Sequence, residues 1–453
     1  MGTPGTGTDE RTGAGAPQAR PTLPAPVIAR NVRLIQRDAV AMGVVNSSAP
    51  FLPVLLLRLG GTTLQVSLLA ALPAIAGFLF AIPLGRMLQR RRDVIPWYSS
   101  CRLLAQLSFA AMAVAIVALP SGPGWRAGAA PAALAVLAIW ALQTVPNTVG
   151  NVTFPLVMDG AAGSSRRFDL LSRRWSIMGV TTALVVAAAG QALGLMPFPA
   201  NYALVFAAFS AAGAWSWWYA HRFRLPDQEV PSVPRTGSPR HRLAEFASVL
   251  RGQPRFLTFE VRSFLYTASV SMATPLMPLY YVREVHAPDA WIGVIGACTA
   301  GTQLLGFVGW RRVSLRRGIR WVVLATVLGS ALVPAVLTLL GSLPLVALLA
   351  AVGAVFGAGA SLVLFDELMQ RVPRRHGVTF TAVDQSAQNL AATVAPLLGG
   401  VVAVQLGIRT GLILSAVLGV ASFALFAAEG RGIVGRFVPS RLRAAATRED
   451  SAS

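Results

Sequence analysis

Long runs without charge constrain this chain more than any other feature of its sequence. A stretch of about 20 apolar residues is enough to cross the roughly 30 Å hydrocarbon core of a bilayer as a helix. Ten runs approach or exceed that length, at 39–57, 59–85, 103–125, 127–158, 175–220, 263–282, 290–310, 321–365, 385–408 and 410–428. Two of these runs are about twice as long and are broken near the middle, at "MPFP" (196–199) and "GSLP" (341–344). The sequence therefore predicts twelve membrane-spanning segments.

The solid apolar character of these runs predicts helices rather than barrel strands. Barrel strands would alternate apolar and polar residues, whereas a helix satisfies all of its backbone hydrogen bonds within the segment. The composition agrees, because only 13% of the residues are charged, about half the share found in soluble domains. The predicted fold class is an all-α integral membrane protein with twelve transmembrane helices.

The distribution of arginine predicts the orientation. The chain contains no lysine, so all 39 basic residues are arginines. If the N-terminus is cytoplasmic, only four of them fall in external loops, namely Arg58, Arg126, Arg283 and Arg409. This bias follows the positive-inside rule and predicts a multi-pass protein of the cell (plasma) membrane with both termini in the cytoplasm. The net charge of +21 then indicates anionic inner-leaflet lipid as a partner, and not nucleic acid.

The segments between the apolar runs predict a division into two halves. The expected organisation is a disordered cytoplasmic tail (1–30), an N-terminal six-helix bundle (31–220), a cytoplasmic linker (221–255), a C-terminal six-helix bundle (256–429) and a basic cytoplasmic tail (430–453). The two cysteines, Cys101 and Cys298, fall in different helices. Neither a disulfide framework nor a metal-ligand spacing is present, so no cofactor is predicted.

An internal repeat supports the two halves. The stretch "APFLPVLLLR" in the first span and "TPLMPLYYVR" in the seventh share two prolines and an arginine, and an earlier arginine matches as well. All four matches have an offset of 225, and they pair Arg37, Pro50, Pro53 and Arg58 with Arg262, Pro275, Pro278 and Arg283. A glycine and a tryptophan twelve residues apart also bracket an arginine-rich loop in each half, from Gly85 to Trp97 and from Gly309 to Trp321. Such repeats are typical of transporters.

With these features the chain resembles the major facilitator superfamily of secondary transporters, in its bacterial twelve-helix type, over about residues 30–430. That superfamily carries a G-x-x-x-D-R-x-G-R-R signature between helices two and three. In "AIPLGRMLQRRR" the signature is partial, because Gly85 stands where the aspartate belongs and Leu88 where the second glycine belongs. The resemblance implies a role in the cytoplasmic gate for Arg86; the alternative is that these arginines anchor the topology at the lipid headgroups.

Three amides in the fourth span predict a polar face. Gln143, Asn147 and Asn151 are spaced four residues apart, so they lie on one side of a helix. Amides in lipid must be paired or wetted, and this stripe is therefore expected to face a central cavity. The other predicted substrate-binding residues are Asn46, Ser47, Trp140, Tyr266, Gln303, Gln388 and Asn389. For Trp140 the alternative is a packing or interfacial role.

No carboxylate or histidine is expected near the membrane centre. The carboxylates nearest to helices are Asp38, Glu260, Asp366, Glu367 and Asp384, and all of them fall close to cytoplasmic ends. They either pair with arginines as an inner gate or are solvated helix-end charges, and Asp384 can also cap its helix. The predicted gating or coupling residues are Arg37, Asp38, Arg86, Arg262, Asp366, Arg374 and Asp384.

These features predict a secondary active transporter that moves a small molecule by alternating access. The expected cavity is apolar with amides and without buried charge, which favours a neutral or amphipathic substrate. The resemblance to the superfamily implies efflux coupled to protons. Uptake of a sugar or another neutral metabolite is the alternative, and a receptor or lipid flippase on the same fold is another. No enzyme is predicted, since no nucleophile, metal-ligand set or acid pair is found at one depth. A monomer is expected.

Overall fold

The computed structural model describes residues 23–89, 91–120, 130–162, 167–226, 253–371 and 377–428. In the described part of the chain the regular structure is entirely helical, which confirms the predicted fold class. The helices are α1 (Ala25–Asn46), α2 (Phe51–Arg58), α3 (Thr63–Gln89), α4 (Ile95–Ala118), α5 (Pro131–Ala162), α6 (Arg167–Leu195), α7 (Ala200–Ala220), α8 (Pro254–Arg283), α9 (Asp289–Arg317), α10 (Ile319–Leu337), α11 (Leu343–Arg371), α12 (Gly377–Leu406) and α13 (Ile408–Ala428).

The first crossing consists of two helices, α1 and α2. Between them Ser47–Pro50 form a tight turn in which successive amides bond three residues back, as from the N–H of Ser48 to the carbonyl of Val45 at 3.1 Å. Crossings two to twelve are then α3 to α13. Counting α1 with α2, ten segments of the described chain are long and apolar enough to span a membrane. The remaining two crossings, α7 and α8, have the length of a span but are not among these ten segments.

Several helices extend beyond the charge-free runs of the sequence. α4 begins at Ile95 and α6 at Arg167, each eight residues before the corresponding run. α1 begins at Ala25, inside the segment predicted as a disordered tail. Pro26 occupies its first turn, where a backbone N–H would have no partner within the helix, so the missing N–H of proline costs nothing. The rest of that tail, residues 227–252 of the predicted linker and the tail from 430 lie outside the described residues.

The two halves have the same internal packing. In the N-terminal half α1 packs on α6 and α7, α4 packs on α5 and α7, and α3 packs on α5. In the C-terminal half α8 packs on α12 and α13, α10 packs on α11 and α13, and α9 packs on α11. Each contact in one half has its counterpart six crossings later. The repeat seen in the sequence is therefore a repeat of structure.

The halves meet along two helix pairs, α3 with α12 and α6 with α9. Glycines allow the closest approach. A Cβ on Gly190 of α6 would lie 2.5 Å from the Cα of Gly293 of α9, and a Cβ on Gly400 of α12 would lie 2.4 Å from the hydroxyl of Ser67 on α3. Small residues at these crossings let the helices touch backbone to backbone.

These contacts lie towards one end of the bundle, which we call the predicted external end. We call the opposite end the predicted cytoplasmic end. Gly190 and Gly293 are each within about 8 Å of the external end of their helices at 1.5 Å per residue. Polar contacts across the halves lie there too, since Arg283 donates to the hydroxyl of Thr63 at 2.8 Å and Arg58 pairs with Asp289 at 3.1 Å. The bundle is thus closed at the predicted external end.

Candidate substrate cavity

A cavity of about 280 Å³ lies inside the N-terminal half, between α1, α4, α5 and α6. We call it the N-half cavity. Its wall combines amides, arginines and aromatic side chains, and it is lined by Met42, Asn46, Tyr98, Arg102, Gln106, Asn147, Gly150, Asn151, Phe154, Arg174, Trp175 and Met178. Several of these residues come from the helix segments that the charge-free runs leave out.

The amide stripe of α5 is divided between the cavity and the protein interior. Asn147 and Asn151 are exposed and line the N-half cavity, which lies inside one half and not between the halves. Gln143 is 8% exposed, and its Oε1 accepts a hydrogen bond from Ser108 of α4 at 3.3 Å. Four residues advance a helix by slightly more than one turn, so the stripe drifts around the helix and its first member turns towards α4.

Of the two candidates at the end of α1, one lines the cavity. Asn46 is exposed to the N-half cavity, and its Nδ2 lies 3.2 Å from the Sδ of Met178. Ser47 is fully buried and donates to the carbonyl of Gly43 at 2.9 Å. The hydroxyl of Ser47 is thus occupied within the turn that separates α1 from α2.

A buried ion cluster forms one side of the N-half cavity, although the sequence predicts no buried charge there. Asp38 is fully buried, and its Oδ1 accepts from Arg102 at 2.8 Å and from the hydroxyl of Ser216 at 2.6 Å. Arg102 also donates to the hydroxyl of Tyr98 at 2.6 Å, and Arg174 lies 3.6 Å from Asp38 Oδ2. Asp38 is therefore not a solvated helix-end charge, and its arginine partners are Arg102 and Arg174. Arg37 is exposed on α1, because neighbouring residues of a helix point about 100° apart.

The cluster joins four helices of one half, namely α1, α4, α6 and α7. Buried charges persist only where partners and hydrogen bonds compensate the loss of water. The sequence does not indicate Arg102 and Arg174 as site residues, because each stands immediately before a charge-free run. That is the usual position of an arginine that anchors a helix at the lipid headgroups. The signal that could have found them is their position relative to helix starts, since each lies seven residues inside its helix.

A second cavity, of about 240 Å³, lies in the C-terminal half between α8, α9, α10 and α11. Tyr266, a predicted binding residue, lines it together with Tyr281 and Thr299. Most other lining groups are apolar, and Gly353 and Gly357 form part of the wall. Among the predicted binding residues this cavity therefore contains Tyr266 alone.

The remaining predicted binding residues lie outside both cavities. Trp140 donates from Nε1 to the carbonyl of Leu69 at 2.9 Å and so connects α5 to α3. Gln388 connects α12 to α8, because its Nε2 donates to Ser263 at 3.0 Å and its Oε1 accepts from Thr267. Asn389 packs against α3, where a Cβ on Gly77 would lie 3.2 Å from its Nδ2. Gln303 is exposed on α9.

The predicted gating residues are scattered over the predicted cytoplasmic side. Arg86 is exposed at the end of α3. Arg262 is buried with its guanidinium 5.6 Å from the ring centre of Phe426. Asp366 accepts from Gln370 on its own helix at 2.7 Å, and Asp384 accepts from Gln388 at 3.3 Å. Arg374 lies outside the described residues.

An acidic pair in the C-terminal half is the least expected of these arrangements. Glu260 of α8 is 9% exposed, and neither of its carboxyl oxygens has a hydrogen-bond partner among the described residues. Its electrostatic neighbour is Asp384 of α12. Burying a carboxyl group without hydrogen-bond partners is costly, and a second acid on a packed helix adds to that cost.

Comparison with known proteins agrees with this architecture. Residues 262–442 match the family described as Major Facilitator Superfamily. No curated protein matches the chain. The match covers less than half of the chain and begins in α8, so the likeness to this family by sequence concerns the C-terminal half.

Solved structures of the same fold cover nearly the whole chain. The nucleoside transporter NupG is 13% identical with a TM-score of 0.62, over 88% of this chain and 99% of that one. A bacterial homologue of the iron transporter ferroportin, in an inward-facing state, is 13% identical with a TM-score of 0.63, over 88% and 98%. A bacterial homologue of the human lysosomal transporter Spinster, inward-facing and unoccupied, is 12% identical with a TM-score of 0.61, over 89% and 96%. At these identities the likeness concerns the fold alone.

Proposed function

We propose that this protein is a secondary active transporter that exports an amphipathic small molecule by alternating access, coupled to protons. The observation that carries the proposal is the N-half cavity, in which amides face apolar and aromatic walls within a bundle closed at the predicted external end. Amides supply hydrogen bonds to the polar part of a substrate and the aromatic wall packs on its apolar part. The membrane is the plasma membrane, with both termini in the cytoplasm, in accordance with the arginine distribution.

Alternating access is supported by the way the halves meet. The close glycine contacts of α6 with α9 and of α3 with α12 concentrate near the predicted external end. Movement of one six-helix half against the other would exchange this closure for closure at the opposite end. A cavity that first opens to the cytoplasm loads from the cytoplasm, which is the order that export requires.

Proton coupling is supported by Glu260 and Asp384. Transporters of this kind need a buried group that exchanges a proton as its surroundings change. Glu260 lies on α8, which packs on α12 and α13, and Asp384 of α12 is its electrostatic neighbour. A movement that brings water to Glu260 would allow its proton to leave, and reburial would take one up.

The test measures accumulation of a panel of fluorescent amphipathic compounds in cells stripped of their own efflux pumps, with and without this protein. Expression is expected to lower accumulation, and collapse of the proton gradient is expected to abolish the difference. Raised accumulation would indicate uptake, and a difference that survives collapse of the gradient would contradict proton coupling.

A matched pair of variants addresses the coupling site. Glu260→Gln removes the titratable group at nearly constant volume, so it should make any remaining export independent of the proton gradient. Glu284→Gln is the control, because it makes the same change at the other end of α8, where the carboxylate is partly exposed and pairs with Arg409 at 3.1 Å. If both variants keep gradient-driven export, Glu260 is not the coupling group.

A further inference from the structure

The ion cluster of the N-terminal half has an unbalanced charge. Within the described part of the chain it contains one carboxylate, Asp38, and two guanidinium groups. Arg102 takes both carboxylate oxygens, at 2.8 and 3.4 Å, and has Tyr98 and Ser216 as further partners. Arg174 reaches the same carboxylate only at 3.6 Å. One positive charge is therefore left over, and it resides on Arg174.

Arg174 also has an unused donor. It is 4% exposed, it lines the N-half cavity, and its Nε has no hydrogen-bond partner among the residues that the structure describes. A guanidinium carries five N–H donors in one plane, arranged to meet the oxygens of an anion. Leaving a buried charged donor unsatisfied is costly, and an anion in the cavity would satisfy it.

The side chains around Arg174 define the rest of the ligand. The guanidinium carbon lies 4.9 Å from the ring centre of Phe154 and 5.7 Å from that of Trp175. Trp175 is 52% exposed, so its ring is available to an apolar body. Asn147 and Asn151 on the same wall can donate to further oxygens of an anionic group.

We propose that the N-half cavity binds an amphipathic organic monoanion, with its carboxylate or sulfonate group at Arg174 and its apolar body against Phe154 and Trp175. This inference rests on the proposed transport function, since it names the charge of the transported molecule. A monoanion brings the cluster to neutrality, whereas a dianion would leave one negative charge uncompensated in a low-dielectric site. A neutral molecule would leave the donor of Arg174 unsatisfied.

The test uses the purified full-length chain in nanodiscs of zwitterionic lipid, in which no anionic headgroup competes. Binding of naphthalene-2-sulfonate is compared by calorimetry with binding of naphthalene-2-sulfonamide, which has the same ring and no charge. The sulfonate is expected to bind at least about tenfold more tightly, the effect of roughly 1.4 kcal/mol in binding free energy.

Substitutions at Arg174 and a control test where the preference for sulfonate arises. Arg174→Gln should remove this preference, and the variant should still fold because Asp38 keeps Arg102 as its partner. Arg174→Lys should keep part of the preference. Arg173→Gln is the control, because it removes the same charge from the neighbouring, exposed position of α6. Asn151→Asp places a carboxylate on the cavity wall and should abolish sulfonate binding without touching the ion cluster, so it remains informative if Arg174→Gln is unstable.

Equal affinities for sulfonate and sulfonamide in the unmodified protein would overturn the proposal. So would a sulfonate preference that survives both Arg174→Gln and Asn151→Asp, since the anion would then bind elsewhere. These measurements need no gradient. Sulfonate binding that depends on Arg174 in a protein that fails the export test would contradict the transport function and leave the anion site established.

Discussion

Replacing Gly190 by alanine tests whether the contact between α6 and α9 keeps the predicted external end closed. A Cβ at this position would lie 2.5 Å from the Cα of Gly293 and 3.1 Å from its backbone nitrogen. These are backbone atoms, which cannot turn away as a side chain can. An ordinary carbon contact is about 3.5–4.0 Å, so the helices must separate by roughly 1 Å. The methyl group therefore destabilises the closed external end without removing any favourable contact.

The size of the effect follows from the cost of overpacking, which is typically about 1–3 kcal/mol. Because 1.4 kcal/mol corresponds to a factor of ten, the ratio of externally open to externally closed molecules should rise roughly 5- to 150-fold. The matched control is Gly194→Ala, one turn further along α6, where a Cβ would meet nothing within 4 Å. That variant should leave the ratio unchanged.

The assay is a distance measurement between two spin labels by pulsed electron resonance. Leu195 at the end of α6 and Leu339 after α10 are suitable positions, since they are 84% and 82% exposed and lie at the predicted external end of opposite halves. Cys101 and Cys298 are first replaced by alanine. Gly190→Ala should increase the population at longer distance. An unchanged distribution, or an equal change in Gly194→Ala, would refute the assignment of this contact as the external closure.

Three further predictions follow from the same contacts. Asp38→Asn leaves two buried guanidinium groups without their carboxylate, so it should lower the free energy of unfolding by about 3–5 kcal/mol. The loss would be measured as a lower Tm in detergent, and an unchanged Tm would show that the ion cluster contributes little to stability. Arg283→Gln removes donors to Thr63 and to the carbonyl of Gly61, at 2.8 and 3.2 Å, and should favour external opening by about 1 kcal/mol in the same distance assay, whereas no shift would assign the closure to the glycines alone. Asn147→Leu should raise the half-saturating substrate concentration of export roughly 2- to 10-fold, because the substrate loses one hydrogen bond. Gln143→Leu should not change this concentration, because Gln143 lies outside the cavity and Ser108 still donates to the carbonyl of Ala105 at 2.6 Å. Equal effects of the two variants would contradict the division of the amide stripe.

The architecture was predictable because it depends on features that are local in sequence. Charge-free runs mark the crossings, and the offset of 225 between "APFLPVLLLR" and "TPLMPLYYVR" marks the repeat. Both signals can be found in the sequence without knowing how each helix is oriented about its own axis in the bundle. The bounds were less predictable, because a helix in a bundle continues past the hydrocarbon core, as α4 does at Ile95.

The site was predictable only in part, because it depends on helix rotation and on neighbours from distant segments. The spacing of Asn147 and Asn151 places them on one face, but the same spacing does not show that α4 covers Gln143. Arg102 and Arg174 look like headgroup anchors in the sequence. Their pairing with Asp38 requires three helices to meet at one depth, which no pattern within a single segment encodes.

The turn at Ser47–Pro50 divides the first crossing into two helices that are held by different halves of the protein. α1 is tied to the N-terminal half through Asp38, whereas Arg58 at the end of α2 pairs with Asp289 of the opposite half. The turn itself touches that half, since a Cβ on Gly296 of α9 would lie 3.2 Å from the ring of Pro50. A break next to a proline absorbs a change of direction more easily than a continuous helix. The first crossing can thus act as a hinge, in which α2 leaves α9 when the external end opens while α1 and its ion cluster stay in place.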